Sequence, residues 1–334
     1  MGKEEDAVYL CFDVGGTNIK AGLVDASGTI LAKQSVVTQT DEQANSVLKQ
    51  FLELQNVLCR ESGITLEHIR AASIGVAGFV EMETGTVTRA VNLGWHDVPV
   101  AEKVSSMLGM PVFVINDANA AALGEMWQGA GKGLDDLLCL TIGTGVGGGV
   151  IANGRIVNGA YGLAGEIGHF RVKIKDGRLC NCGKTGCLET EASASAIAYY
   201  GERAARQYPR GRLAQRLKQA GTLTSKDVAE AAQKGDKAAC EVIEHAAYYL
   251  GYALASIFTV TAPIRIVIGG GVAAAGSLLF TPLIHWFREF ALPDIKDKNI
   301  IAPAVLGNDA GIIGLAKLAK MNLLSLSGIE EKRG

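Results

Sequence analysis

Three of the chain's seven cysteines stand within eight consecutive residues, with a histidine just upstream. They fall in the stretch EIGHFRVKIKDGRLCNCGKTGCLE, residues 166–189. His169, Cys180, Cys182 and Cys187 are spaced His-x10-Cys-x-Cys-x4-Cys. Four borderline-soft donors in one short segment suit a tetrahedral zinc ion, and Gly183 and Gly186 would let the chain bend back around it. A disulfide is a competing use of the thiols, which a reducing compartment disfavours. Unrelated buried thiols would not cluster beside glycines. With four protein ligands the ion would be structural, not Lewis-acidic. It would pin two nearby carboxylates, Glu166 and Glu189. Cys11, Cys59, Cys139 and Cys240 sit in strand or helix patterns and read as core.

Two glycine-rich stretches have the makings of phosphate loops. FDVGGTNIK places Asp13 at a strand end, followed by Gly15, Gly16, Thr17, Asn18 and Lys20. Adjacent glycines let backbone N–H groups turn towards an anion, Thr17 adds a hydroxyl and Lys20 a mobile positive charge. Asp13 could orient, through water, the magnesium that accompanies a nucleotide. An ordinary hairpin turn uses the same residue types. LTIGTGVGGG contains Gly143, Gly145 and Gly148 in the dinucleotide spacing. That fingerprint needs a helix at the loop, whereas GVIANGRIV reads as a strand and an Asn-Gly hairpin turn. The dinucleotide reading fails, and a strand–loop–strand clamp around Thr144 and Gly145 remains. A third cluster, IGGGVAAAG, follows another strand and could seat an adenine or ribose, or serve as a tight strand-to-helix turn.

VINDANAAALGE sets Asn116 and Asp117 just past a buried strand and before a helix. Ligands of open α/β sheets bind at such strand ends. Asp117 could cap the helix or act as a general base on a hydroxyl, and the two roles are compatible in position.

The elements that must position these groups are legible in outline. Residues 7–36 read as three strands joined by hairpin turns, and 41–60 as an amphipathic helix. AASIGVAG and PVFVIND read as short strands, and ANAAALGEMWQGAG as a helix closed by Gly129. DDLLCLTIGTGVGGGVIANGRIV repeats the plan of the N-terminus: Gly15 aligns with Gly143, and Asp25 with Asn153, without a gap. The fold expected is α/β, with two similar lobes around a cleft. Residues 1–117 would form a small lobe, joined by the C-terminal helix at about 309–320, and 118–308 a large lobe carrying the zinc loop. Long helices are expected across 190–258, then the strand IRIVIGGG and the terminal helix AGIIGLAKLAK.

Composition narrows the class. A chain of 334 residues with 48% hydrophobic residues can bury a large core and is expected to form two domains. A net charge of −2 gives no global basic field for nucleic acid or a membrane surface. Glycine at 42 residues against 7 prolines suggests many tight turns, not a linker. The acidic MGKEED start matches neither a signal peptide nor a myristoylation signal, so a cytoplasmic protein is expected. Ala246–Ile264 is uncharged and long enough to span a bilayer, but its Gly, Ser, Thr and Pro residues and the strand that follows favour a buried helix.

Together DVGGTNIK, GVAG, NLGW, INDANAAALGE, TIGTGVGGGVIANGRIVNGAYGLAGEIGH and CNCGKTGCLE resemble the ROK sugar kinases, on the actin-like (ribonuclease H-like) ATPase fold. VIGGGVA and GNDAGIIGLA extend the likeness to about residue 319. Within the family the chain is most similar to ATP-dependent glucokinases of bacteria. The resemblance implies that Asp117 deprotonates the sugar 6-hydroxyl. It implies that Asn116, Glu166, His169 and Glu189 hydrogen-bond the ring hydroxyls, with Gly78 and Asn92 lining the pocket. It gives Asp13, Gly15, Gly16, Thr17, Asn18, Lys20, Gly143, Thr144 and Gly145 to phosphates and magnesium, and Gly270 and Gly271 to adenosine. It implies a homodimer in glycolysis, using ATP, Mg2+ and structural Zn2+. Other hexoses (fructose, mannose, N-acetylmannosamine) and polyphosphate as donor remain open. A sugar-responsive repressor from the same family would need a DNA-reading module, for which the twelve acidic-leaning residues before Asp13 are expected to leave no room.

Overall fold

Val8–Val14 (β1) opens the first sheet of the computed structural model, which describes residues 6–41, 43–326 and 328. Of the terminal stretches 1–6 and 325–334, only Asp6, Ser325, Leu326 and Gly328 are among the described residues. The apolar run of β1 is almost wholly buried, as a central strand covered on both faces must be. Asn18–Asp25 (β2) pairs antiparallel with it, and Ile30–Val37 (β3) antiparallel with β2. Burial along β3 alternates residue by residue, the mark of a strand with one open face. Asn45–Ser62 (α1) buries Val47, Phe51, Leu54 and Leu58, one stripe at helical spacing. Phe51 stacks on Phe12 with ring centroids 4.2 Å apart, which locks α1 to β1.

Ile69–Val76 (β4) and Val112–Asn116 (β8) continue the sheet in parallel register, giving the order β3-β2-β1-β4-β8. Between them stand Phe79–Glu81 (β5), Thr86–Ala90 (β6) and Trp95–Val98 (β7), a three-stranded antiparallel sheet, followed by Val100–Leu108 (α2). Asp117–Gln128 (α3) closes on Gly129, where the helix was expected to end.

Leu137–Ile142 (β9), Val146–Ala152 (β10) and Arg155–Ile156 (β11) repeat the opening plan. The second sheet is completed by Arg265–Gly269 (β12) and Ile301–Pro303 (β13), in the order β11-β10-β9-β12-β13. Rank by rank this matches the first sheet, so the sequence repeat is a repeat of topology. The helical stretch comprises Glu189–Ala192 (α4), Ala194–Gln207 (α5), Arg212–Ala220 (α6), Ser225–Gln233 (α7) and Lys237–Thr261 (α8). Ser277–Phe290 (α9) packs on α8, and Ala310–Leu326 (α10) on α3. Among the described residues no helix is long and apolar enough to cross a membrane. The suspect stretch at 246–264 is the C-terminal part of α8, buried on one face and exposing Tyr248, Tyr252 and Val260 on the other, and the turn into β12.

The chain divides into two compact units. The first holds residues 1–135, 149–165 and 306–334, and the second 136–148 and 166–305. The expected division of the sequence lies at 117/118 and 308/309. The first unit keeps α3, because its small residues pack against α10 so closely that Gly124 lies on the backbone of Ala310 and Gly314 on that of Ala120.

Candidate active site and metal centre

In the first unit, Asp13 is the last residue but one of β1, and Lys20 lies opposite it on β2. Their side chains meet, Lys20 Nζ 3.5 Å from Asp13 Oδ2. Burial pushes the Asp13 carboxyl above its ordinary value, with the Lys20 charge opposing. The turn that follows exposes Gly16, Thr17 and Asn18. It is tied down by Thr38, whose hydroxyl donates to Gly15 O (2.8 Å) and whose N–H donates to Thr17 O (2.9 Å). Gly16 lies against Asn92, so two of the sequence-predicted residues from distant segments are neighbours.

Asn116 and Asp117 mark the junction of β8 and α3. The cap is Asn116, not Asp117: the Asn116 side-chain oxygen accepts from the N–H groups of Ala118 (2.9 Å) and Asn119 (3.2 Å). Its amide nitrogen donates to Gly78 O (3.0 Å), which brings those two predicted residues together. An amide nitrogen carries two N–H groups, so this bond does not exhaust it. Asp117, relieved of capping the helix, accepts from its neighbour Ala118 N–H at 2.9 Å. Burial raises its carboxyl to about 6, and the charge of Asp13 adds to the rise. A half-buried carboxylate poised near neutrality beside a second acid and a lysine suits a general base.

In the second unit the Gly143–Gly145 turn joins β9 to β10, the strand–loop–strand context expected. Gly270, with φ +87°, lies on the backbone of Ile142, which places the third glycine cluster beside this turn. Gly271 begins a short 3-10 turn at 271–275 that leads into α9. Ser195 donates its hydroxyl to Thr144 O at 2.8 Å. Glu189 packs on Gly145 so closely that a Cβ there would overlap its carboxylate, and Glu189 Oε2 accepts the Val146 N–H (3.1 Å).

The four expected metal ligands converge: the donor atoms of His169, Cys180, Cys182 and Cys187 all lie within 4.8 Å of one another. Cys182 Sγ and Cys187 Sγ are 3.7 Å apart, and Cys180 Sγ and His169 Nδ1 3.6 Å. A tetrahedron with zinc bonds of ordinary length has S···S edges of about 3.8 Å and S···N edges of about 3.6 Å. The donor set therefore fits that ion. His169 presents Nδ1 to the cluster and Nε2 towards Glu166, 3.9 Å from Oε2. Cys180 Sγ also lies 3.6 Å from Glu189 Oε1, so the cluster, Glu189 and the Gly143–Gly145 turn are contiguous. Within the loop, Lys184 donates to His169 O (2.9 Å) and Arg171 to Thr185 O (3.0 Å). Gly186 has φ +75° and lies on Lys173 O, a place no side chain could share.

Each unit thus gathers its own predicted residues. Sequence reasoning missed Thr38 and the Glu189–Val146 bond. Thr38 carries no pattern signal, since it acts through its position beyond β3.

A sequence profile of the ROK family matches residues 9–322. The chain is 42% identical to the glucokinase of Halalkalibacterium halodurans over 315 residues, covering 94% of this chain and 96% of that one. A solved ROK family glucokinase from Streptomyces griseus, in complex with glucose and AMPPNP, superposes with a TM-score of 0.80 at 35% identity, covering 94% of this chain and all of that one. A ROK family transcriptional regulator, described as a homologue of the E. coli MLC protein, superposes with a TM-score of 0.86 at 27% identity, covering 98% of this chain and 81% of that one. With its profile, its relatives and its two matched sheets in agreement, the chain belongs to the ROK family and has its actin-like ATPase fold.

Proposed function

We propose that this chain is an ATP-dependent hexose kinase, a glucokinase that transfers the γ-phosphoryl group of ATP to the 6-hydroxyl of glucose. The observation that carries the chemistry is Asp117, raised to about 6 beside Asp13 and Lys20. Two nearby acids with distinct surroundings suit two roles. Asp117 accepts the hydroxyl proton, and Asp13 is the residue that would hold a magnesium ion, which when bound would supply charge to neutralise the phosphates. Gly15, Gly16, Thr17, Asn18, Lys20, Gly143, Thr144 and Gly145 receive the phosphates, and Gly270 and Gly271 the adenosine. The ring hydroxyls are assigned to Asn116, Glu166, His169 and Glu189, and the pocket lining to Gly78 and Asn92. Discrimination among sugars follows from the polar groups a wrong sugar would leave unpaired.

The glucokinase at 42% identity and the glucose- and AMPPNP-bound relative at 35% support glucose and ATP as the substrates. In the same proposal His169 Nδ1 and the thiolates of Cys180, Cys182 and Cys187 hold zinc, which when bound fixes the loop and does no chemistry on the substrate. A homodimer belongs to this reading too. The regulator that shares the fold favours a second reading, sugar sensing without transfer. Purified protein assayed with glucose, mannose, fructose and N-acetylmannosamine, each with ATP and with polyphosphate, separates these readings. The highest kcat/KM is expected for glucose with ATP. A different preferred pair would replace the substrates, and sugar binding without turnover would favour the sensor.

A further inference from the structure

Glu191 is a carboxylate with no surface exposure, two residues beyond Glu189 and outside every motif above. Burying a charge is costly unless it is paired and hydrogen-bonded. Its partners come from three separate elements. Tyr200 of α5 donates its hydroxyl at 2.7 Å, and His245 Nε2 of α8 lies 3.0 Å away. Lys173 Nζ reaches in to 3.7 Å from the loop between His169 and Cys180. Burial pushes the Glu191 carboxyl up, but the bonds from His245 and Tyr200 and the Lys173 charge outweigh it, and the net shift is downward. Arg178, from the same loop, donates to Thr190 O (3.1 Å) and lies over the Tyr199 ring at 3.7 Å.

A well-packed apolar side chain often stabilises a buried site as well as an ion network does. What the network adds is direction. α4 is a single turn, Glu189–Ala192, with no length of its own to resist rotation. Glu189 is its first residue, and its two oxygens face different neighbours, Oε2 the Val146 N–H and Oε1 Cys180 Sγ. A turn of α4 about its axis would swing that carboxylate off both. Glu191 ties the same turn to α5, to α8 and to the cysteine loop.

We infer that Glu191 is a positioning residue: through Tyr200, His245 and Lys173 it fixes the rotation of α4 and thereby the Glu189 carboxylate that receives the sugar. This rests on the reading of Glu189 as a sugar ligand. The test compares Glu191→Leu, Tyr200→Phe and Glu189→Gln with the parent. KM for glucose and for ATP, glucose Kd by calorimetry, and Tm are measured for each. Supporting groups of this kind typically contribute about tenfold or more. Glu191→Leu is expected to raise glucose KM and Kd about tenfold with ATP KM within about twofold, and Tyr200→Phe to raise them about two- to threefold. A lower Tm with glucose KM unmoved, or with both KM values moved together, would make Glu191 structural only and overturn the inference. Should Glu191→Leu not fold, Tyr200→Phe decides by the same criteria. If Glu189→Gln leaves glucose KM and Kd unchanged, the reading of Glu189 fails and this inference with it. If Glu189→Gln weakens glucose while the Glu191 and Tyr200 variants do not, this inference alone fails.

Discussion

Asp117 and Asp13 are neighbouring acids to which the proposed function gives different work. The raised value of Asp117, about 6, predicts that kcat/KM climbs roughly tenfold per pH unit below about 6 and levels above it, as the base loses its proton. A pH–rate profile checks this, and a flat profile from pH 5 to 8 contradicts it. The same shift has a consequence for stability, because the folded carboxyl holds its proton more tightly than the ordinary value of 3.8 allows. The contribution is fully present below about pH 4 and is lost as pH rises through about 6. Asp117→Asn is therefore expected to be more stable than the parent above pH 6, by on the order of 1 kcal/mol, and no more stable at pH 4, as thermal melts at the two pH values would show. At this scale the sequence showed which residue types were present but not how their duties divide. Asn116 and Asp117 are adjacent candidates for one cap, and only the backbone turn out of β8 gives it to Asn116. Thr38 and Glu191 were silent because their partners lie far away in sequence or on other elements.

The cysteine loop shows what an element can do that its residues alone cannot. Its backbone makes two isolated bridges, Arg171 with Cys187 and Leu179 with Thr185, and scattered turn bonds such as Cys180 N–H to Lys184 O and Gly186 N–H to Arg178 O, in place of a regular ladder. In the proposed reading a metal supplies the missing constraint. Cys182→Ser is expected to lower bound zinc, measured by elemental analysis, and to lower Tm by several degrees in parallel. Protein purified with no zinc, yet as stable as before, would remove the metal from the account. The loop was readable because its spacing is local, as were the hairpins of β1–β3 and the helical stripe of α1. The β5–β7 sheet and α2 were not read, since three short strands with few buried positions leave little alternation to detect.

Across the whole molecule, the duplicated plan was the most informative feature of the sequence. The equivalence of Gly15 and Gly143 holds in space, as each glycine follows the first strand of a sheet with the same strand order. The limits of the two compact units were less legible, because they follow the packing of α3 and α10 and not any break in composition. A ROK fold alone does not decide between a kinase and a regulator, so the decisive evidence is turnover at one named group. That evidence comes from comparing the parent chain with Asp117→Asn in an ATP and glucose assay coupled to a glucose 6-phosphate-specific dehydrogenase, alongside glucose calorimetry. The parent is expected to form glucose 6-phosphate, and the variant to lose about 10²- to 10⁴-fold in kcat while binding glucose within a fewfold of the parent. A parent that makes no glucose 6-phosphate, or a variant that keeps its turnover, would contradict it.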